Sequence, residues 1–579
     1  MRKLASLIPY LRRHRPQLWL GIACIFLSVC FGLATPIIVG SAVDVLQSEF
    51  SRRALLRYSL LLLAVTAVQG VFSFGQRRVL VSMSRDIEFE IRDSYFSHLE
   101  RMSQSFFQEH HTGDLMARGT NDLQAVRMLC GPAIMYSANT VFVALGALFF
   151  MSRINIGLTM LALCTLPLVA VATKVFGQKI HLLFERVQEQ FASMSTHVQE
   201  HLAGVRVIRA YAQEGPTRAR FELLNQDYVD KNRELIRWTS AFQPLLHGLI
   251  GIGFVAVLWY GGGLVSRGSI TVGQFVTFTF FLGKLVWPMI AIGWVINLAQ
   301  RGSASLGRIL EILQADPVIQ DAPNCVSKAI EGSVSFNDLT FAYDQLESPV
   351  LLNIVFEAPS GTSIAIVGRT GSGKSTILAL IARLWNPPDG LLTVDGEDVQ
   401  HYCLADLRSA IGLVPQETFL FSDTLRANIC FGRPTASEED ILRVAGLAGL
   451  SEDIEMLPKG LETLVGERGV TLSGGQRQRV ALARALIKEP RILLLDDCLS
   501  AVDTNTEETI LENLRGVSQG RTLFLVSHRI STVQHADQIL VLDGGRIVQR
   551  GTHLSLLAED GLYSGLHQRQ LLEEELEAV

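Results

Sequence analysis

The sequence predicts two fold classes joined in one chain. An α-helical domain of six transmembrane spans with long cytoplasmic helical arms comes first, and an α/β domain built on a parallel sheet follows. Three observations carry this expectation: six long apolar stretches all lie before residue 301, such runs stop after about residue 310, and a buried β-rich run then leads directly into a Gly-rich loop at 368. With 579 residues, the chain holds about four domain equivalents at roughly 150 residues each. It is 48% hydrophobic and 18% charged, whereas soluble domains run near 25% charged, which excludes a wholly soluble protein. The formal charge of -5 excludes nucleic acid as a main partner, because a polyphosphate chain is held by a basic excess.

The six stretches fall near 17–43, 54–76, 131–152, 154–176, 243–266 and 272–300. Each can cross about 30 Å of hydrocarbon, which takes about 20 residues. Arg2, Lys3, Arg12, Arg13 and Arg15 precede the first. That run is too long for a cleaved signal peptide and continues through Pro36, so it reads as a retained span. Its basic flank belongs in the cytoplasm, and six crossings return the chain there. The outer loops, at about 44–53, around Arg153 and at 267–271, are short, leaving no outer domain to capture a ligand. The inner connections, about 77–130 and 177–242, are polar and helix-patterned. About 25 such residues in helix reach roughly 38 Å beyond the membrane.

No Asp or Glu falls inside the six stretches, whereas Arg57, Lys174, Lys284 and His247 do. Proton-driven carriers need intramembrane carboxylates, so a secondary transporter is disfavoured. Arg57 and Lys174 lie near span ends and snorkel. His247 reads as an interhelical hydrogen-bonding residue. Lys284 sits mid-span, where a cation faces a bundle interior or a wet cavity; substrate binding and structural pairing both remain open. Eight cysteines show no C-x-x-C pair, which predicts neither a disulfide framework nor a zinc site.

The composition places a membrane domain at 1–310, a linker at 311–330 and an α/β domain at 331–579. The runs Ser363–Val367, Ile492–Leu495 and Thr522–Val526 predict buried parallel strands separated by helices. The first enters Gly368-Arg369-Thr370-Gly371-Ser372-Gly373-Lys374-Ser375-Thr376, which fits G-x-x-x-x-G-K-[ST]. Its glycines let backbone N–H groups close on phosphate oxygens, and the following helix presents its positive end. Lys374 then spans the β- and γ-phosphates, and the Ser375 hydroxyl ligates Mg²⁺. A second buried strand ends at Asp496-Asp497. Asp496 is placed to serve the nucleotide's Mg²⁺, and Asp497 to orient or deprotonate the attacking water. The expected cofactors are therefore ATP and Mg²⁺ on a P-loop ATPase domain.

At Leu472-Ser473-Gly474-Gly475-Gln476 the chain resembles the ATP-binding cassette (ABC) family, whose signature is L-S-G-G-Q. The other motifs follow in family order. Tyr343 looks like the aromatic that stacks on adenine, and Gln416 like the glutamine that reaches Mg²⁺ and water. Val465-Gly466-Glu467-Arg468-Gly469 is similar to the segment that touches the transmembrane arms of exporters. Asp503 lies in a D-loop-like Ser500-Ala501-Val502-Asp503, and His528 looks like the switch histidine that contacts the γ-phosphate. Thr112–Leu115 and Glu200–Val205 extend the resemblance into the arms, which in this exporter type dock on the partner's nucleotide domain. The resemblance implies a nucleotide-binding dimer in which Ser473, Gly474, Gly475 and Gln476 serve the ATP held by the opposing chain.

One residue departs from the family pattern. The position after the Walker B aspartate is usually Glu, and here it is Asp497. A carboxylate one methylene shorter falls about 1 Å or more short of the water, and misplacement on that scale costs about 100-fold. The chain is thus expected to pair with a different half-transporter that supplies the catalytic carboxylate. Leu495–Asp503, Trp287-Pro288-Met289 and Arg301–Ser305 resemble the non-catalytic half of bacterial multidrug-resistance-like heterodimeric exporters. The expected cargo is a hydrophobic or amphipathic drug, lipid or peptide, drawn across the bacterial inner membrane from a cytoplasmic or lipid phase. The alternatives are a homodimeric lipid flippase and a regulatory membrane ATPase or ATP-gated channel.

Overall fold

The computed structural model describes residues 2–48, 51–343, 348–466, 469, 472–517 and 520–577. The chain divides into two compact units, one comprising 1–100 and 111–315, the other 101–110 and 316–579.

Six helices in the first unit are long and apolar enough to cross a membrane: α1 (Arg15–Ser48), α2 (Arg52–Leu99), α3 (Thr112–Ile154), α4 (Ile156–Ala203), α5 (Glu214–Ser266) and α6 (Val272–Leu313). Five of the expected spans lie inside one of them, and the fourth, expected at 154–176, begins instead at Ile156, after the Asn155 cap. At 48 residues α2 and α4 run about 72 Å, so membrane span and polar arm are one continuous helix. Local chemistry sets the ends. The Asn155 side chain accepts a hydrogen bond from the Leu158 N–H (2.9 Å) to start α4, and Thr271 with Gln274 forms a capping box at the start of α6. At the end of α1 and the start of α6, Asp44 accepts from the Gly273 N–H (2.6 Å) and the Thr271 hydroxyl (2.7 Å), tying the two helices together.

Close approach of those two helices depends on glycine. A Cβ on Gly273 would collide with the Gly40 carbonyl, and one on Gly40 with Thr277. Small residues are what allow helix backbones to meet inside a membrane. Gly273→Val is therefore expected to destabilise the domain by about 1–3 kcal/mol through overpacking, read as a lower melting midpoint in detergent, whereas Gly70→Val, where a Cβ meets nothing within 4 Å, leaves it unchanged.

Below the spans, charges pin the arms. Glu88, 6% exposed, accepts from Arg92 (2.7 Å) and Arg85 (3.0 Å) and lies 3.5 Å from Arg127 of α3. Asp122 of α3 accepts from Arg308 (2.7 Å) and Ser305 (2.9 Å) of α6, and the Arg308 hydrogen bond holds its carboxyl below the usual range. His247 departs from expectation: its Nδ1–H is directed at the Gln243 carbonyl one turn back (2.8 Å), not at a neighbouring helix. A helical i−4 carbonyl is always within reach, and it satisfies the ring locally.

The second unit contains two sheets. β1 (Val334–Phe341), β2 (Leu351–Ala358), β4 (Leu392–Val394) and β5 (Glu397–Asp398) form an antiparallel sheet in the order β2-β1-β4-β5. The larger sheet runs β10-β9-β3-β8-β7-β6, from β3 (Ser363–Gly368), β6 (Ile411–Val414), β7 (Ile492–Asp496), β8 (Thr522–Val526), β9 (Gln538–Asp543) and β10 (Arg546–Gly551). All its pairs are parallel except β10 with β9. Both faces are covered: Ile366, Leu494 and Phe524 enter one apolar core, while Ala365, Leu495 and Leu525 enter the other. This is why the strands read as unbroken apolar runs rather than alternating ones.

The expectation of no disulfide is corrected by the fold. Cys325 and Cys403 are joined, with Cα atoms 4.9 Å apart. They are 78 residues apart in sequence, and a bridge pairing Val326 with Tyr402 brings them together. Short-range spacing rules are blind to a pair made this way. Arg383 strengthens the same strap by donating to the Gln320 carbonyl (2.8 Å), as does Asp321 by accepting from the Leu404 N–H (2.7 Å).

Candidate nucleotide site

Strand order explains how residues 160 positions apart meet. β3, β8, β7 and β6 are consecutive and parallel, and Val526 is in register with both Ile366 and Asp496. Their carboxyl ends therefore line up at about 4.8 Å per strand. The end of β3 delivers the Gly-rich loop, β8 leads two residues later to His528, β7 ends on Asp496, and β6 leads to Gln416. Ligands bind outside the carboxyl ends of such strands.

A cavity of about 200 Å³ opens there, lined by Lys374, Ser375, Gln416, Asp496, Asp497 and His528. The loop around it needs glycine at two points. Gly371 and Gly373 have φ +80 and +97, and a Cβ on Gly373 would press to 2.6 Å from Leu351. The helix α7 (Lys374–Ile381) starts at once, its free N–H groups at the loop.

Lys374 is only 6% exposed, and its ammonium donates to the Gly368 (3.0 Å) and Arg369 (2.9 Å) carbonyls. Burial lowers its pKa, while Asp496 and Asp497 pull it back up. The Ser372 hydroxyl is buried without a hydrogen-bond partner. A buried cation lacking an ion pair, an orphan hydroxyl and a helix start together suit a bound polyphosphate. Asp496, 8% exposed, is raised by desolvation and lowered by a hydrogen bond from Ser375. A hydroxyl and a carboxylate side by side, with Gln416 on the same cavity, are the hard oxygen donors that fit Mg²⁺. Asp497 holds φ +47, with its N–H donating to the Val526 carbonyl (2.9 Å).

An adjoining cavity of about 490 Å³ is lined by Tyr343, Trp385, Ser375 and Asp496, together with Gln104 and Gln108 of the short helix Gln104–Glu109. Tyr343 stands edge-to-face to Trp385 (4.8 Å), and its hydroxyl bonds Thr376 (2.9 Å). Sequence reasoning missed Trp385 and the two glutamines. An aromatic eleven residues past the P-loop lysine was the available signal for the first. The glutamines carried none, since they lie in a polar arm.

The signature residues stand elsewhere. None of Ser473, Gly474, Gly475, Gln476 or Asp503 lines the P-loop cavity. Ser473 caps the helix Gly474–Leu486, its hydroxyl accepting from the Gln476 N–H (3.2 Å) while the Gln476 side-chain oxygen accepts from the Ser473 N–H (2.9 Å). A Cβ on Gly475 would meet the Ala501 carbonyl at 2.7 Å. Asp503 accepts from the Thr506 N–H (3.0 Å), which lowers its pKa. Glu467 and Arg468 lie outside the described residues.

The family described as "ABC transporter transmembrane region" matches residues 18–289, and that described as "ABC transporter" matches residues 351–500. The probable multidrug resistance ABC transporter ATP-binding/permease protein YheI of Bacillus subtilis is 40% identical over 544 residues, 93% of this chain and 92% of that protein. The chain belongs to the ABC transporter family. It joins a transmembrane region to an ATPase that drives transport. This ABC transporter is also similar to the multidrug resistance-like ATP-binding protein MdlA of Escherichia coli, 36% identical over 100% of this chain and 98% of that one. A bacterial Atm1-family ABC exporter solved with ATP bound matches with a TM-score of 0.78 at 28% identity, covering 98% of this chain and 99% of the other. The fold is therefore that of an ABC exporter half. In such an ATPase Lys374→Ala is expected to weaken nucleotide binding at this P-loop by at least tenfold, since a charge-assisted contact to phosphate is lost; titration with a fluorescent ATP analogue measures it.

Proposed function

We propose that the chain is one half of a heterodimeric, ATP-driven exporter of hydrophobic or amphipathic compounds, and that the site on its own P-loop binds ATP but turns it over slowly. The observation that carries this reading is Asp497, which shares the cavity with Lys374, Asp496 and His528. A glutamate there would bring its carboxylate closer to an attacking water; aspartate leaves it short. In this reading residues 1–310 form the exporter domain, 311–330 the linker and 331–579 the cassette, facing the cytoplasm from a bacterial inner membrane.

Tyr343 stacks on adenine. The N–H groups of 368–376 and Lys374 hold the phosphates, and His528 contacts the γ-phosphate. Ser375, Gln416 and Asp496 hold Mg²⁺, which when bound neutralises phosphate charge. Ser473, Gly474, Gly475, Gln476 and Asp503 face the nucleotide of the partner chain, where a catalytic carboxylate supplied by the partner completes a fast site. None of them lines the chain's own P-loop cavity, which supports this role. Nucleotide binding draws the two cassettes together and the long arms carry that closure to the membrane.

Purifying this chain alone tests the pairing. Weak Mg²⁺-dependent ATP turnover by the isolated chain, rising when the partner half is added, is the expected result. Fast turnover by a homodimer would sink the heterodimer and favour the homodimeric flippase, while ATP-dependent conductance without uphill transport would favour a channel.

A further inference from the structure

We propose that Lys284 is the anchor of a mid-membrane site for the head group of a single-chain anionic amphiphile, such as a fatty carboxylate. The proposal deepens the export reading by naming a cargo class.

Lys284 lies thirteen residues inside the Thr271 cap of α6 and seventeen before Arg301, so it is about 20 Å from one charged end and 26 Å from the other. Snorkelling cannot bring its ammonium to either interface. No Asp or Glu lies in the apolar stretches of the six helices, and Lys284 has no hydrogen-bond or ion-pair partner among the described residues. Here is a cation in hydrocarbon depth with no counter-charge among the described residues of this chain.

Its position on the helix says where that counter-charge can enter. One face of α6 is packed: Thr277 donates to the Pro36 carbonyl (3.1 Å) of α1, and Phe281 stacks on Phe150 of α3 (5.6 Å). A second face, about 100° round the helix, carries Phe280, Gly283 and Trp287, all exposed, and a Cβ on Gly283 would meet nothing within 4 Å. Lys284, half-buried, sits on the border between the two. If the open face met lipid tails, an unpaired ammonium would stand in hydrocarbon, a costly arrangement. A cavity explains it better, with Phe280 and Trp287 taking an apolar tail and Lys284 the anionic head. A bilayer phospholipid keeps its head group at the interface, far from this depth, so the ligand is a free single-chain amphiphile.

Binding without nucleotide separates this proposal from the export reading. The probes are a fluorescent dodecanoic acid and its methyl ester, followed by anisotropy with the full-length chain in phosphatidylcholine nanodiscs. Wild type is expected to bind the acid at least about tenfold tighter than the ester, as one charge-assisted contact allows. Lys284→Gln should erase that difference and Lys284→Arg preserve it, with ATP-analogue binding confirming that each variant is folded. Equal binding of acid and ester by wild type, or a preference that survives in Lys284→Gln, overturns the site. Loss of acid binding in phosphatidylglycerol nanodiscs, for wild type only, would assign the cation to bilayer lipid and overturn the free amphiphile. Charge-selective binding with no ATP-driven movement of the acid would leave the site standing and refute export of this cargo.

Discussion

Replacing Asp497 with Glu is expected to raise the Mg²⁺-dependent ATP turnover of the isolated chain by about 100-fold, the factor that an ångström-scale misplacement of a catalytic group costs. The P-loop half of the site is otherwise assembled, since Lys374, Ser375, Asp496, Gln416 and His528 already share one cavity with residue 497, and a second copy of the chain supplies the signature residues. One methylene is the difference. The backbone at 497 has φ +47, a region that aspartate adopts more readily than glutamate, so the variant also loses up to about 1 kcal/mol of stability. A thermal melt separates that loss from the gain in rate. Unchanged turnover in a folded Asp497→Glu chain would show that the slow step lies elsewhere. The converse substitution, Asp497→Ala, should scarcely alter the turnover of the assembled pair, because the fast site draws its carboxylate from the partner.

Ser473→Arg should have the opposite signature, removing most ATP turnover of the assembled pair while leaving ATP binding to this chain's own P-loop intact. Two effects combine. The capping box with Gln476 is lost, costing about 1 kcal/mol at the start of the helix Gly474–Leu486. A bulky side chain also stands where the partner's nucleotide must approach. Ser473→Ala separates these, since it removes the cap without adding bulk. If Ser473→Arg weakened binding to the chain's own P-loop instead, the assignment of the signature to the opposing nucleotide would fail. Nucleotide titration and phosphate release, measured on the same preparation, discriminate the two outcomes.

Legibility differed by the range of the interaction. The spans were readable because about 20 apolar residues suffice to mark a bilayer crossing. The strands of the parallel sheet were readable because burial on both faces leaves an unbroken apolar run, as in Ile492–Leu495. The P-loop was readable because its glycines and lysine are contiguous. Residues that reach the site from separate segments were harder. Gln416 and His528 were found only through family resemblance, while Trp385, Gln104 and Gln108 were missed. The Cys325–Cys403 pair and the local hydrogen bond of His247 ran against expectation, because each is set by which atoms the fold places nearby.

The sequence by itself determined the six spans, the cassette that follows them, the phosphate loop and the aspartate at 497, since each is encoded in a contiguous stretch whose chemistry acts locally. Only the tertiary structure decided that β3, β8, β7 and β6 stand side by side, so that Lys374, His528, Asp496 and Gln416 open on one cavity while Ser473 and Gly475 do not. It also decided that Lys284 borders an open face of α6. The physical reason is that strand order and helix packing are chosen by the burial of whole faces, a collective property that no local stretch of sequence carries.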